Sequence, residues 1–212
     1  YTNAAAQAAL SPTPIFQLAA RHNKTIIPPV YFGEMGTLYL SDASFFPTPD
    51  LRGGGQVTIP GFTHWEVPHL TAAAGDEVRL GPGLAITVTN DVLVSGGGDL
   101  HFTNVTLNVG GDIAVRDAYS RLATRGHTAV VCGGDLTVTT NACMEVISGP
   151  TNETWVGYGS RLAVGGALMI VGPGSVLYPG SHPTNGGSLY MEMRDLVLAD
   201  TNAQINANAR GF

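Results

Sequence analysis

The segment Gly110-Gly-Asp-Ile-Ala-Val115 indicates the fold, because a closely similar segment recurs as Gly133-Gly-Asp-Leu-Thr-Val138. Related phrases are Asp91-Val-Leu-Val94, Gly165-Gly-Ala-Leu-Met-Ile170 and Asp195-Leu-Val-Leu198. Counted from the aspartate or its equivalent Ala167, the starts lie 21, 23, 32 and 28 residues apart. Intervals of this size correspond to one coil of a solenoid.

Each phrase is followed by two further strand-like segments. Second strands are expected eight residues after each start, at Asp99–Phe102, Ser120–Ala123, Cys143–Val146, Ser175–Tyr178 and Ala203–Asn206. Third strands are expected at Val105–Val109, Thr128–Cys132, Ser160–Val164 and Gly187–Met193. The pattern predicts an all-β chain that folds as a parallel, right-handed β-helix of about five three-stranded coils over residues 90–212. Strands of an ordinary β-sandwich are the alternative.

Side-chain alternation predicts which residues enter the core. Successive residues of a strand point to opposite faces, so Leu136 and Val138 face inward together. The second strands are less regular, since Leu100 fits one phase while Leu122 and Ile205 fit the other. One-residue bulges could reconcile the two phases.

Residues 1–89 do not share this rhythm. Short helices are expected at Asn3–Leu10 and Ile15–Arg21, and proline-punctuated, irregular strands follow them. We interpret this region as a cap over the first coil, because an uncovered solenoid end exposes strand edges and core. A separate small β domain is the alternative.

Composition restricts the partners. Charged residues are 12% of the chain, about half the usual ~25%, and the one lysine and nine arginines form no cluster. Nucleic acid is therefore not expected as a partner, since binding its phosphates needs grouped cations. No apolar run approaches the ~20 residues of a transmembrane helix. Cys132 and Cys143 are interpreted as two thiols packing as small hydrophobes rather than as a disulfide.

The recurring Gly-Gly-Asp-Leu-x-Val phrase resembles large secreted bacterial β-helix proteins of the adhesin-like and autotransporter-passenger-like kind. The resemblance covers residues 90–212 and lies in the style of the repeat. It implies a non-catalytic structural or adhesive module located outside the cell or on its surface. It carries over no functional residues.

A carbohydrate-active β-helix enzyme, a polysaccharide lyase or glycoside hydrolase with an incomplete site, is the alternative function. Paired acidic residues would supply the acid and the base, but the chain has no Asp-Asp pair. The recurring aspartates are interpreted as acceptors for backbone N–H groups at a turn. His64 and Glu66 share a strand face, but Pro68 interrupts before His69, and His101 is isolated in sequence. We therefore expect no catalytic residues, no metal site and no cofactor.

Two length expansions fall at the same corner of neighbouring coils, at Ser148–Gly159 and Pro179–Gly186. Loops at one corner of a solenoid commonly form its binding surface. Aromatic rings with nearby amides suit sugar rings, so weak polysaccharide binding is the hypothesis for this corner; a Trp155 that only shields the core is the alternative. The candidate ligand-binding residues are Trp155, Tyr158, Asn152, Tyr178, His182 and Asn185.

The last coil has a first and a second strand but no third. An open end would expose Leu196, Leu198 and Ile205 together with unpaired strand groups. Such an end pairs readily with another chain. The sequence therefore predicts either further coils beyond residue 212 or end-to-end self-association.

Overall fold

A computed structural model describes residues 18–19, 36–41, 49–51, 53–152, 154 and 157–208. The described part contains β-strands and no helix. The strands form a nine-stranded and an eleven-stranded sheet, and every described pair runs parallel, as in the pairing of Ile113–Val115 with Leu136–Val138. The expected all-β, parallel, solenoid-like class is confirmed. Leu18–Ala19 is a short strand where a helix was expected, and the helix expected at Asn3–Leu10 lies outside the described residues.

The strands fall into three columns, which the chain visits in turn. The nine-stranded sheet holds the second strands: β1 (Leu18–Ala19), β2 (Thr37–Tyr39), β4 (Gly53–Thr58), β7 (Glu77–Leu80), β10 (Asp99–Thr103), β13 (Arg121–Gly126), β16 (Cys143–Ser148), β18 (Val176–Gly180) and β20 (Gln204–Ile205). The eleven-stranded sheet holds the first strands: β3 (Asp50–Leu51), β6 (Leu70–Ala72), β9 (Val92–Val94), β12 (Ile113–Val115) and β15 (Leu136–Thr139). It also holds the third strands: β5 (His64–Val67), β8 (Ala85–Val88), β11 (Thr106–Val109) and β14 (Ala129–Cys132). The long strands β17 (Ser160–Val171) and β19 (Leu189–Leu198) each run through both the third and the first column.

The repeat begins earlier than the sequence indicated. Leu51 pairs with Ala72, which pairs with Val94, so the first column reaches back to residue 50. The third column likewise reaches back to His64, which pairs with Ala85. The expectation that residues 50–89 lie outside the rhythm is therefore wrong. These early repeats lack the Gly-Gly-Asp phrase, and their prolines Pro60, Pro68 and Pro82 lie in turns, where they interrupt no strand pairing.

The core consists of rows of apolar side chains, in which equivalent residues of successive repeats stack on one another and point inward. Leu100 is in register with Leu122, and that row continues through Met144 and Leu177 to Ile205. The two phases read from the sequence therefore merge into one. Turn length reconciles them, not bulges within the strands: four residues (95–98) connect the first and second strands before Asp99, and five (116–120) before Arg121.

The Gly-Gly-Asp phrase forms a corner that is tied from one repeat to the next. Each aspartate accepts a hydrogen bond from the backbone N–H at the equivalent position of the next repeat, and Ala167 in turn pairs with Asp195. The N–H···Oδ1 bonds run from Asp112 to Asp91 (2.8 Å), from Asp135 to Asp112 (2.8 Å) and from Ala167 to Asp135 (2.7 Å). The predicted column and its role as a backbone acceptor are both confirmed.

The glycines are required by close approach between repeats. A Cβ on Gly133 would lie 2.4 Å from the carbonyl oxygen of Gly110, and one on Gly134 would lie 2.0 Å from Asp112 Oδ1. Neither glycine has the positive φ that restricts other turn positions. Space between stacked repeats, not backbone freedom, explains the glycine pair.

Cys132 and Cys143 are thiols, as interpreted from the sequence. Cys132 is buried, and its Sγ lies 3.3 Å from the Gly111 carbonyl oxygen. Burial is the main reason why the pKa of this thiol is raised to about 11. The described residues form no helix long and apolar enough to cross a bilayer.

Candidate functional site

Charged side chains line the outer face of the nine-stranded sheet. They alternate with Leu100 and its row of core residues, so they lie on the opposite face. Register places Glu77, Asp99 and Arg121 in one row and Arg79, His101 and Glu145 in a second row that also contains Ala123. We call these six charged residues the outer charged strip.

The outer charged strip is largely covered. Glu77, Asp99, His101 and Glu145 are each less than a tenth exposed. Charged side chains are rarely buried to this extent unless they are paired, because they lose their hydration. A buried charged strip on the outside of a sheet therefore calls for a physical explanation.

Ion pairs account for part of it. Arg121 pairs with Glu145, and Arg79 Nη2 lies 3.9 Å from Glu77 Oε1. His101 Nε2 lies 2.7 Å from Asp99 Oδ1, a contact that is an ion pair only if the imidazole is protonated. Burial lowers the pKa of Arg121, but attraction by Glu145 and then by Asp99 outweighs it, so the net pKa is raised. Both guanidinium groups of the strip thus neutralise carboxylates beside them.

The sequence does not single out this strip. His101 is isolated in sequence, and Glu77 lies in the region that is expected to form the cap. The period-two signal was present in Glu77-x-Arg79 and Asp99-x-His101. It becomes visible only when the two segments are aligned as neighbouring repeats.

The structure brings the two predicted loops together. Asn185 Nδ2 donates to the Thr151 carbonyl oxygen at 3.3 Å, and the Gly159 N–H donates to the Ser188 carbonyl oxygen at 2.8 Å. Both loops join a second strand to a third strand, as expected.

The individual candidates occupy different places. Asn152 lies 3.4 Å from His127 Nε2 through its Nδ2, and His182 Nδ1 lies 3.0 Å from Thr184 Oγ1 within its own loop. Tyr178 lies in β18 beside Glu145, in the second row of the outer charged strip. Trp155 lies outside the described residues.

Tyr158 belongs to a surface that the sequence did not reveal. Its ring stacks on that of Tyr190, with centroids 5.2 Å apart and planes at 26°. Arg161 is in register with Tyr190, and its Nη2 donates to Glu192 Oε2 at 2.8 Å. We call Tyr158, Tyr190, Arg161 and Glu192 the tyrosine platform.

The charges of the tyrosine platform are mutually stabilised. The hydrogen bond from Arg161, followed by that from Tyr190, lowers the pKa of Glu192. The same Glu192 hydrogen bond raises the pKa of Tyr190. The platform therefore presents an ionised carboxylate, a guanidinium and an aromatic face at neutral pH.

The last repeat differs sharply from the others in burial. Leu136 and Leu168 have no exposed surface, whereas Leu196 in the same row is 49% exposed and Leu198 is 47% exposed. Within the described part, β19 pairs with β17 alone. Core-type residues are thus open to solvent at this edge, as the sequence predicted.

No protein-family model, curated protein or solved structure matches the chain.

Proposed function

We propose that the chain is a non-catalytic structural module, a right-handed parallel β-helix that assembles through its last repeat. Two observations support the helix type, namely three strands per repeat and parallel register. The proposed right hand follows the general preference of parallel crossovers. In this proposal residues 1–49 form the cap, and their strands β1 and β2 pair with β4 at the edge of the nine-stranded sheet. The proposed location of the protein is extracellular or on the cell surface, where the resembling proteins are found.

The observation that carries the proposal is the exposure of Leu196 and Leu198. Five preceding repeats bury the equivalent pair, from Leu70 and Ala72 to Leu168 and Ile170. A further layer of strands would cover both leucines and pair the open edge of β19. The partner we propose is a second copy of this chain. Asp195 stands where each earlier aspartate accepts an N–H from the next layer, so a strand of that copy can bond to it.

Sedimentation velocity of the 212-residue chain over a wide concentration range tests this proposal. We expect dimers or larger assemblies whose proportion rises with concentration. The double variant Leu196→Lys/Leu198→Lys should remain a monomer. Val197→Lys is the matched control, because its side chain alternates to the opposite face of β19. A wild-type chain that stays monomeric throughout would overturn the proposal, and so would association that Val197→Lys abolishes equally.

An adhesive role is proposed for the tyrosine platform, as contact with a polysaccharide. A stacked aromatic pair beside a guanidinium and a carboxylate suits the apolar face and the hydroxyls of a sugar. A glycan array should show binding that Tyr190→Ala removes. Tyr119→Ala is the control, because Tyr119 is 88% exposed in a different turn. Absence of binding, or binding indifferent to Tyr190→Ala, would remove this role.

The alternative of a carbohydrate-active enzyme has less support. Its acid and base would have to reach a sugar, whereas Glu77, Asp99 and Glu145 are each less than a tenth exposed. The outer charged strip is better interpreted through its internal chemistry.

A further inference from the structure

Three side chains of the outer charged strip converge on one point. Glu77, Asp99 and His101 each direct one carboxylate or imidazole atom into a space where these atoms all lie within 4.8 Å of one another. They come from neighbouring repeats, since Glu77 is in register with Asp99. All three are more than nine-tenths buried.

The contact between His101 and Asp99 is not an ordinary hydrogen bond. Nε2 and Oδ1 are 2.7 Å apart, yet their angles fall outside hydrogen-bond geometry. Nε2 is fully buried and makes no hydrogen bond to any group in the described part of the chain. Leaving a buried ring nitrogen without a hydrogen bond is unfavourable, so the site calls for a partner for Nε2.

The electrostatics of the outer charged strip suit a cation. The carboxylates of Glu77, Asp99 and Glu145 lie in its two rows, and each of these residues is less than a tenth exposed. A bound cation in this covered environment would be stabilised by their negative charge.

The convergence of three ligand atoms from two neighbouring strands favours a metal ion as their shared partner. A metal ion takes its ligands from several directions at once, with ligand atoms about 3.4 Å apart when the bonds are near 2.1 Å. The observed spacings are 2.7 Å between His101 Nε2 and Asp99 Oδ1 and at most 4.8 Å within the whole set, so small side-chain rotations would bring the three atoms to that value. Arg79, whose side chain is 43% exposed, has room to turn toward solvent.

We propose that Glu77, Asp99 and His101 form a binding site for a first-row divalent metal ion such as Zn²⁺. One imidazole nitrogen and two carboxylate oxygens suit ions of this class better than Ca²⁺ or Mg²⁺, which favour oxygen ligands alone. The ion ties together two adjacent repeats on the outer face of the nine-stranded sheet. This site is independent of the proposed assembly through β19.

Zn²⁺ added to the chelator-treated 212-residue chain provides the test. We expect one equivalent retained after dialysis, measured by elemental analysis, and X-ray absorption at the zinc edge showing one imidazole among oxygen ligands. His101→Gln should weaken binding on the order of 100-fold or more, and His64→Gln, the exposed histidine of β5, should leave it unchanged.

The wild-type spectrum keeps the test decisive even if His101→Gln fails to fold. A zinc environment without an imidazole, no retained zinc, or an equal loss with His64→Gln would each overturn the site. ¹⁵N NMR showing His101 as an imidazolium at pH 7 with zinc present would also overturn it, in favour of a proton-balanced charge network.

Discussion

The Asp112 carboxylate accepts a hydrogen bond from the backbone N–H of Asp135, with 2.8 Å between Oδ1 and N. The two residues are 23 positions apart in the chain and occupy the same place in successive repeats. Asp112 also donates its own N–H to Asp91. Asp112 thus links its repeat to the repeat before it and to the repeat after it.

Asp112→Ala removes this acceptor and leaves the Asp135 N–H without its partner. We expect the free energy of unfolding to fall by about 1–3 kcal/mol, measured by urea denaturation. Asp112→Asn keeps an oxygen at the position and should cost less. Asp195→Ala, measured at a protein concentration at which the chain is monomeric, is the control in the same column. There the carboxylate is exposed and bonds to Arg194, so the variant should change the stability of the monomer little. Equal effects of the changes at Asp112 and Asp195 would contradict the proposed link.

Gly134→Ala should destabilise the fold through steric conflict. The new Cβ would meet Asp112 Oδ1 at 2.0 Å, so the carboxylate must move and its hydrogen bond is lost. We expect a loss of about 2–5 kcal/mol in the same assay. In an Asp112→Ala background most of that loss should disappear.

Gly75→Ala is the comparison for that glycine. Gly75 has φ of +75° and open space around its missing Cβ, so only backbone strain, about 1–2 kcal/mol, is expected. If Gly134→Ala were milder than Gly75→Ala, close approach would not explain the glycine pair.

Leu136→Asp should prevent stable folding or lower the melting temperature by about 10–20 °C. Leu136 has no exposed surface, and a carboxylate there loses hydration without gaining a partner. Thr137→Asp places the same group on the opposite, half-buried face and should be far milder. Thermal unfolding by circular dichroism measures both. A Leu136→Asp variant that melts within a degree or two of the wild type would mean that the strand phase is wrong.

The Cys132 thiol should be unreactive in the folded protein. With its pKa raised from 9.0 to about 11, only about one thousandth of it is thiolate at pH 8. A Cys143→Ser variant isolates Cys132 for alkylation kinetics, and labelling should become fast only in denaturant. Because the raised pKa favours the neutral thiol in the folded state, its contribution to stability is complete below pH 9 and is lost as pH rises toward about 11. Native labelling as fast as in the unfolded chain would contradict this burial.

The sequence predicted those parts of the fold in which a sequence motif recurs. The Gly-Gly-Asp phrase has a local cause, the close approach of backbone at one corner, so the same letters recur wherever that corner recurs. Residues 50–89 form equivalent strand pairs without this motif. A row of stacked core positions requires only apolar side chains of suitable size, as Leu70 and Ala72 provide. Strand pairing between segments that share no sequence motif could not be predicted from a single sequence.

The candidate site was predictable only in part, for a similar reason. The two loop insertions predicted that the loops would lie together, because both fall at one corner, and Asn185 does bond to Thr151. The stack of Tyr158 on Tyr190 and the convergence of His101 on Glu77 depend on register between repeats to within one residue. Turn lengths set that register, and four-residue and five-residue turns are both compatible with the sequence.

We propose that another layer of strands covers the last repeat, and that layer would form hydrogen bonds with the backbone amides of Leu196 and Leu198. Because the Ala199 N–H donates to the Ile170 carbonyl oxygen, alternation directs the Leu196 and Leu198 N–H groups away from β17, toward the open edge. Residue-resolved hydrogen exchange at low and high protein concentration should show these two amides gaining protection as concentration rises, while Val197, directed toward β17, changes little. Rapid exchange of Leu196 and Leu198 at every concentration would contradict the claim.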